Sequence, residues 1–522
     1  MVNFVEPIMS ITPSLTFDFA GIELDRKQGL SRQLYQTLRQ RILDGRLSSG
    51  TRLPSSRDLA MALTISRNSV MRAYDQLYAE GFTDGRIGDG TYVALLPDKT
   101  IPLKKLSTKP STGLSTRLPT ALSTNCRETA ENSPEEVIHS AALELLKRHH
   151  LNKPSKGAPR AFRVGIPAFD LFPFAVWGKL HAAFWRKPDL QTLGYGEAAG
   201  DWRLRELIAV YLRTSRGLQC TAEQIVITSG AQQAISLCAQ LLIEAGDGVA
   251  IENPGYRAAG HAFAIAGANL QGISVDGEGM CSAQLQHSAC KLAYVTPSHQ
   301  YPTGVVMSLA RRLDLLAWAE KNQSWIVEDD YDGEYRYSGA PLAPLAALDR
   351  FGRVLYVGTF GKIAYPALRL GYLVLPVGLV EPFSQRRAVD MRHSEVSTQA
   401  VMAEFIAGGH FQRHIRRMRR AALNRRDALL AGWPEGLRGC SPMPKVVAGL
   451  HVAVRVDSLA REKELIEKAE SVGVEITALS DYWLPESTEP MNNRAGLVLG
   501  FAAVPEADIA VALEKLRAVW AD

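Results

Sequence analysis

Between residues 160 and 522, short apolar runs recur with helix-like segments between them: QIVITS, GVAIEN, KLAYVTPS, SWIVEDD, RVLYVGT and RLGYLVLP. Such alternation predicts an α/β domain built on a mostly parallel sheet. The last part, from KVVAGLHVAVRV to LVLGFAAV, is mixed and predicts a smaller α+β subdomain. At 522 residues the chain is too long for one ordinary core, and a hydrophobic content of 46% is enough for several.

The front of the chain follows another pattern. LSRQLYQTLRQRILDGRL carries apolar residues at 30, 34, 38, 42 and 43, one helix face that stops at Gly45. Ser55 or Ser56 then caps a second short helix. In TISRNSVMRAYDQLYAEG, residues Val70, Tyr74, Leu77 and Tyr78 share one face of a third. GFTDGRIGDGTYVA reads as two short strands round a glycine-rich tip. Two helices joined by a tight turn, with polar residues opening the second, form a helix-turn-helix whose Ser66, Arg67 and Asn68 face base edges or phosphates. The set G-x-R-L-P-S-S-R-x-L-A, S-R-N-S-V, A-Y-x-Q-L and G-x-G-T-Y-V resembles the GntR-type winged helix. That resemblance implies a double-stranded promoter DNA partner, with Arg57, Arg67, Asn68 and Gly88 at DNA-facing positions. Residues 96–133 are rich in Pro, Ser and Thr and predict an extended linker, followed by a short helix from Pro134. The expected organisation is therefore a head at 21–95, a linker with a short helix at 96–159, and the α/β domain at 160–522.

Lys362, in TFGKIAYPALR, follows the strand VLYVGT, at the end where open α/β sheets place ligands. A lysine there can form a Schiff base with an aldehyde if its pKa is lowered. SWIVEDDYDGEYRY ends a second strand in carboxylates and a tyrosine, groups suited to a pyridine nitrogen and a ring oxygen. ITSGAQQAI opens a helix whose free N–H groups suit a phosphate. ENPGY offers an aromatic to lie on a planar ring, and Arg369 can clamp a phosphate as a fork. Together these resemble the fold-type I aminotransferases, which use pyridoxal 5'-phosphate (PLP). The resemblance implies that Lys362 carries PLP as an aldimine, that Asp329 pairs with the pyridine nitrogen, that Tyr331 contacts the 3-oxygen and that Tyr256 stacks on the ring. It implies a phosphate site from Gly230, Ala231, Gln232, Thr359 and Arg369, reached by Tyr195 of a second subunit. Two departures stand out: HQYPTG puts Tyr301 where many such enzymes have asparagine, and Gly361 replaces a serine hydroxyl before the lysine.

A winged helix joined by a long linker to an aminotransferase-like domain resembles the MocR/GabR regulators. Likeness to that family implies a PLP-dependent transcription regulator that senses a small amine or amino acid effector, or PLP itself. It also implies a homodimer, head-to-tail, with Arg494 binding the effector's carboxylate; full transamination is left open. The six cysteines show no metal spacing, so no metal is expected. No apolar run is long enough for a bilayer, and MVNFVEPIMSITPSL lacks the features of a secretion signal, so a cytoplasmic protein without a membrane partner is expected. The net charge of +5 is too small to argue for nucleic acid. One segment is locally basic: HFQRHIRRMRRAALNRRDALLAG places arginines at 413, 416, 417, 419, 420, 425 and 426 on one helix, a face suited to solvent or to passing DNA.

Overall fold

The head is built from α1 (Leu30–Leu43), α2 (Ser56–Leu63), α3 (Arg67–Ala79) and the strands β1 (Thr83–Arg86) and β2 (Gly90–Val93). The structure, a computed structural model, describes residues 22–94 apart from 23, 27, 28 and 87–89, and 156–521 apart from 287, 339–342 and 486. Gly88, most of the linker and the helix expected from Pro134 lie outside the described residues. The chain divides into two compact units between residues 131 and 132.

Local chemistry explains the head. The Ser55 hydroxyl accepts the N–H of Asp58 and starts α2; the Ser66 hydroxyl accepts the N–H of Ser69 and starts α3. Between them Thr64 adopts a left-handed conformation, φ 52°, which ends α2 in a tight turn. Leu34, Leu38, Leu59, Val70 and Leu77 form the core with Tyr74, whose hydroxyl donates to the Pro54 carbonyl at 2.8 Å. One expectation fails: Tyr78 is 62% exposed, because the buried stripe of α3 runs through Val70, Ala73, Tyr74 and Leu77 and leaves position 78 at its edge. Strands β1 and β2 pair antiparallel as a wing, and residues 50–53 add backbone bonds to it.

The second unit is built on an eight-stranded sheet of β3 (Ile225–Thr228), β4 (Gly248–Asn253), β5 (Asn269–Asp276), β6 (Gly279–Met280), β7 (Leu292–Val295), β8 (Trp325–Asp329), β9 (Val354–Thr359) and β10 (Gly371–Val374). Their spatial order is β3-β10-β9-β8-β7-β4-β5-β6. Strands β5, β4, β7, β8 and β9 are parallel; β10 runs antiparallel to both neighbours and β6 antiparallel to β5. Strand residues alternate between two layers. Ile225, Ile227, Tyr356 and Tyr372 pack with the helices Trp202–Arg216 and Val396–Ala407, whereas Val226, Leu355, Val357 and Leu373 pack with the helix Ala231–Leu242. Burial on both faces is why these strands read as unbroken apolar runs. A three-stranded antiparallel sheet, β11 (His451–Arg455), β12 (Thr477–Ala478) and β13 (Gly496–Gly500), in the order β11-β13-β12, forms the smaller α+β part with the helices Leu459–Ser471 and Glu506–Trp520.

Candidate functional site

The carboxyl ends of the parallel strands converge on a cavity of about 170 Å³. Nine of the residues expected from sequence line it: Gly230, Ala231, Gln232, Tyr256, Asp329, Tyr331, Thr359, Lys362 and Arg369. Most come from a strand end or the turn after it; Ala231 and Gln232 open the helix after β3, and Arg369 sits just before β10, so segments more than a hundred residues apart are gathered at one edge of the sheet.

Lys362 follows β9 and its Nζ donates to the Gly165 carbonyl at 2.7 Å. Removal from water pushes this amine below its ordinary pKa, against the pull of Asp332 and Asp329. Gly165 has φ 79°, and a Cβ there would stand 3.1 Å from Nζ. Asp329 ends β8. Its Oδ2 accepts the Tyr294 hydroxyl at 2.7 Å, while Oδ1 is buried with no partner among the described residues. Burial raises this carboxyl to about 7, although the Tyr294 bond opposes the shift. Asp330, its neighbour, goes the other way. Burial alone would raise it, but the Arg216 guanidinium and the Tyr356 hydroxyl, at 2.6 Å, hold it below the usual value.

At the far end, the helix Ala231–Leu242 begins at Gly230 with no side chain capping it, and its first residues line the cavity. Gly230 has φ 87°, and a Cβ there would press on the Arg369 guanidinium at 3.3 Å. Arg369, itself left-handed at φ 50°, donates to the Ser229 carbonyl at 2.6 Å. Gln232 Nε2 donates to the Ala258 carbonyl at 3.0 Å, and its Oε1 accepts the Tyr256 hydroxyl at 3.3 Å. Tyr256 and Tyr301 meet edge to face at 5.7 Å, and the Tyr301 and Tyr482 hydroxyls lie 3.1 Å apart. Tyr331 donates to the His299 carbonyl at 2.8 Å. Thr359 Oγ1 accepts the N–H of Gly361 at 3.1 Å.

Beneath the cavity, His299, Asp332 and His451 are buried with their ligand-type atoms within 4.8 Å of one another, a set no spacing in the sequence suggested. They are held by protein contacts: His299 Nδ1 is 2.9 Å from Asp332 Oδ2, and His451 Nε2 donates to the Pro302 carbonyl at 3.0 Å. Burial first, and then His299, keeps His451 well below the ordinary histidine value.

Other expected residues lie elsewhere. Tyr195 is 90% exposed, beside His393 and Arg392. Arg494 is not among the residues that line the cavity; its guanidinium is tied to the Ser487 and Glu489 carbonyls at 2.5–2.9 Å. In the head, Arg57, Arg67 and Asn68 are exposed, and Arg67 Nε donates to Ser56 Oγ at 3.2 Å. Ser66 is exposed too, but its oxygen already serves as the α3 cap. Of the seven arginines on the helix His410–Gly432, two leave the basic face: Arg425 is buried on Asp170 and the Ala502 carbonyl, and Arg426 pairs with Asp427 and covers Tyr337. Sequence reasoning did not single out Gly165 or Tyr294. Tyr294 had a signal, as an aromatic one strand over from Asp329; Gly165 had none.

Two family models match the chain: aminotransferase class I and II over residues 180–516, and the gntR family of bacterial regulatory proteins over residues 30–93. A protein of Rhizobium meliloti described as "Probable rhizopine catabolism regulatory protein MocR" is 33% identical over 96% of this chain and 95% of its own length. The pyridoxine biosynthesis transcriptional regulator PdxR of Corynebacterium glutamicum is 29% identical over 91% of this chain and 92% of that protein. Among solved structures, the kynurenine aminotransferase of Pyrococcus horikoshii, in complex with PMP, is 29% identical with a TM-score of 0.62, over 74% of this chain and 95% of that one.

Proposed function

The chain belongs to the MocR-type regulators of the gntR family and is a PLP-dependent, DNA-binding transcription regulator; from that premise we propose that it senses a small amine or amino acid at Lys362 and reports the state of the cavity to promoter DNA. Bound PLP supplies an aldehyde that condenses reversibly with amines and a pyridine ring that withdraws electrons. The observation that carries the reading is the buried Oδ1 of Asp329, an acceptor at the wall of the cavity with no donor among the described residues. An unmet buried acceptor costs about 1–3 kcal/mol, and a pyridine N–H directed at Asp329 removes that cost. Lys362 holds the cofactor, with an amine already shifted toward its neutral, nucleophilic form. Tyr256 would cover the ring, Tyr331 would flank the ring oxygen, and Gly230, Ala231, Gln232, Thr359 and Arg369 would hold the phosphate.

An effector amine that displaced Lys362 would change which groups fill the cavity. The head responds to the extent that its DNA-binding and free states differ in affinity for the effector. Arg57, Arg67 and Asn68 read DNA from the start of the helix-turn-helix pair. The working form is a cytoplasmic homodimer, arranged head-to-tail. Leu190, Tyr195 and Val389, 80%, 90% and 81% exposed, are apolar side chains that a partner subunit would cover. Tyr195 would then serve the partner's phosphate site. Complete transamination is a second reading, favoured by the lowered pKa of Lys362, which suits a proton carrier.

The purified protein should show a visible absorbance band on addition of PLP that Lys362→Ala lacks. Candidate amines added to the same sample should shift the band and change operator affinity together. A colourless PLP-treated wild type would rule the sensor reading out. Steady turnover with a keto acid would assign the protein to the enzymes.

A further inference from the structure

From His410 to Arg426, the helix His410–Gly432 contains seven arginines and no acidic residue. Arg413, Arg416, Arg417 and Arg420 recur at i, i+3, i+4 and i+7, so they form one stripe about 10 Å long, with Arg419 beside it. All five are exposed. Among the described residues none meets a carboxylate: Arg413 donates to the Gly408 carbonyl and His410 Nδ1, and Arg417 to His414 Nδ1. Like charges at these spacings repel one another. They also crowd the N-terminal half of a helix with no acid in its first turn, nearest the positive end of the helix dipole. A face so arranged is destabilising unless it is met by negative charge. Duplex DNA presents one charge per roughly 1.7 Å of its axis, enough to face every arginine of the stripe.

We propose that this arginine face is a second DNA contact, one that follows the phosphate backbone of DNA already held by the winged helices; it rests on the reading that the heads bind promoter DNA. Being made of guanidinium groups on a regular helix, with no element entering a groove, it binds backbone without reading sequence. The opposite face of the same helix is buried through Phe411, His414 and Met418. There His414 Nε2 donates to the carbonyl of Ile363, the residue after Lys362, at 2.8 Å. One helix thus carries the arginine stripe on one face and touches the backbone next to the cofactor lysine with the other.

The test uses the full-length, PLP-loaded protein and its Arg413→Gln/Arg416→Gln/Arg417→Gln/Arg420→Gln variant, since glutamine keeps the helix propensity. The probe is a duplex selected in vitro by the wild type, used trimmed to the selected sites and extended with flanking DNA. On the extended duplex the variant should lose about 2–4 from the slope of log affinity against log salt, at about 0.9 per phosphate contact. On the trimmed duplex the two proteins should match. Equal slopes on the extended duplex would overturn the proposal, and so would a variant that changes assembly mass, which would assign the face to contact between copies. Failure of the wild type to select any duplex would instead defeat the head reading. An unchanged PLP absorbance band shows that the variant is folded.

Discussion

Asp329 and Asp330 are the same residue type side by side, yet they titrate in opposite directions. Burial lifts Asp329 to about 7, while Arg216 and Tyr356 hold Asp330 low. Each keeps one buried oxygen with no partner among the described residues, but only Asp329 lines the cavity, where a ligand can meet it. The sign of its pH dependence comes from linkage. A carboxyl raised above its unfolded value keeps its proton in the native state, so its stabilising contribution is full below about pH 4 and is lost as pH rises through about 7. Without cofactor, the stability advantage of the wild type over Asp329→Asn should therefore decline across that window, by at most about 1.4 kcal/mol per pH unit, and level off above it. Urea midpoints from pH 4 to 8 measure this. Parallel profiles for the two proteins would show that Asp329 is not displaced. In the sequence both aspartates were visible, and the family resemblance pointed to Asp329 as the ring partner. The division of labour was not, because it depends on Tyr294, Arg216 and Tyr356 arriving from other segments.

Among the elements, α3 was the most legible. Its polar start, apolar stripe and glycine-marked end all lie within about twenty residues, and only Tyr78 was misplaced, at the stripe's margin. The Ser66 hydroxyl is its N-cap, so Ser66→Ala should cost the head about 1 kcal/mol. For a unit of this size that is a drop of about 4–8 °C in the melting of the head, tracked in the full chain through the temperature at which operator binding is lost. An unchanged temperature would mean that the cap is redundant with the fold around it. The long basic helix was less legible. Its arginines were plain, but the exclusion of Arg425 and Arg426 from the exposed face came from Asp170, Tyr337 and the Ala502 carbonyl, all remote in sequence.

For the whole molecule, the exposed Tyr195 makes a prediction that no single chain can satisfy. If Tyr195 completes the partner's phosphate site, Lys362→Ala and Tyr195→Ala each impair PLP binding alone, for different reasons. Mixing the two under exchange should restore a population of sites with wild-type affinity, because a mixed dimer pairs an intact Lys362 with an intact Tyr195. A PLP titration read by absorbance reports this directly. A mixture that binds no better than the average of its parents would keep Tyr195 out of the cavity.

Local patterns are written in the order of residues alone: the caps and stripes of the head, the apolar runs of the sheet, and a lysine, a carboxylate and an arginine at the ends of such runs. They arise from periodicity and turn chemistry, which act over a few residues. Folding in three dimensions was needed to bring the Lys362 amine to Gly165, to set Tyr294 against Asp329, and to tie Arg494 to Ser487 and Glu489 away from the cavity. Each of the first two contacts joins segments from different parts of the chain. The Arg494 contacts are local in sequence, but a loop's side-chain direction is set by the carbonyls it finds, and no period encodes that.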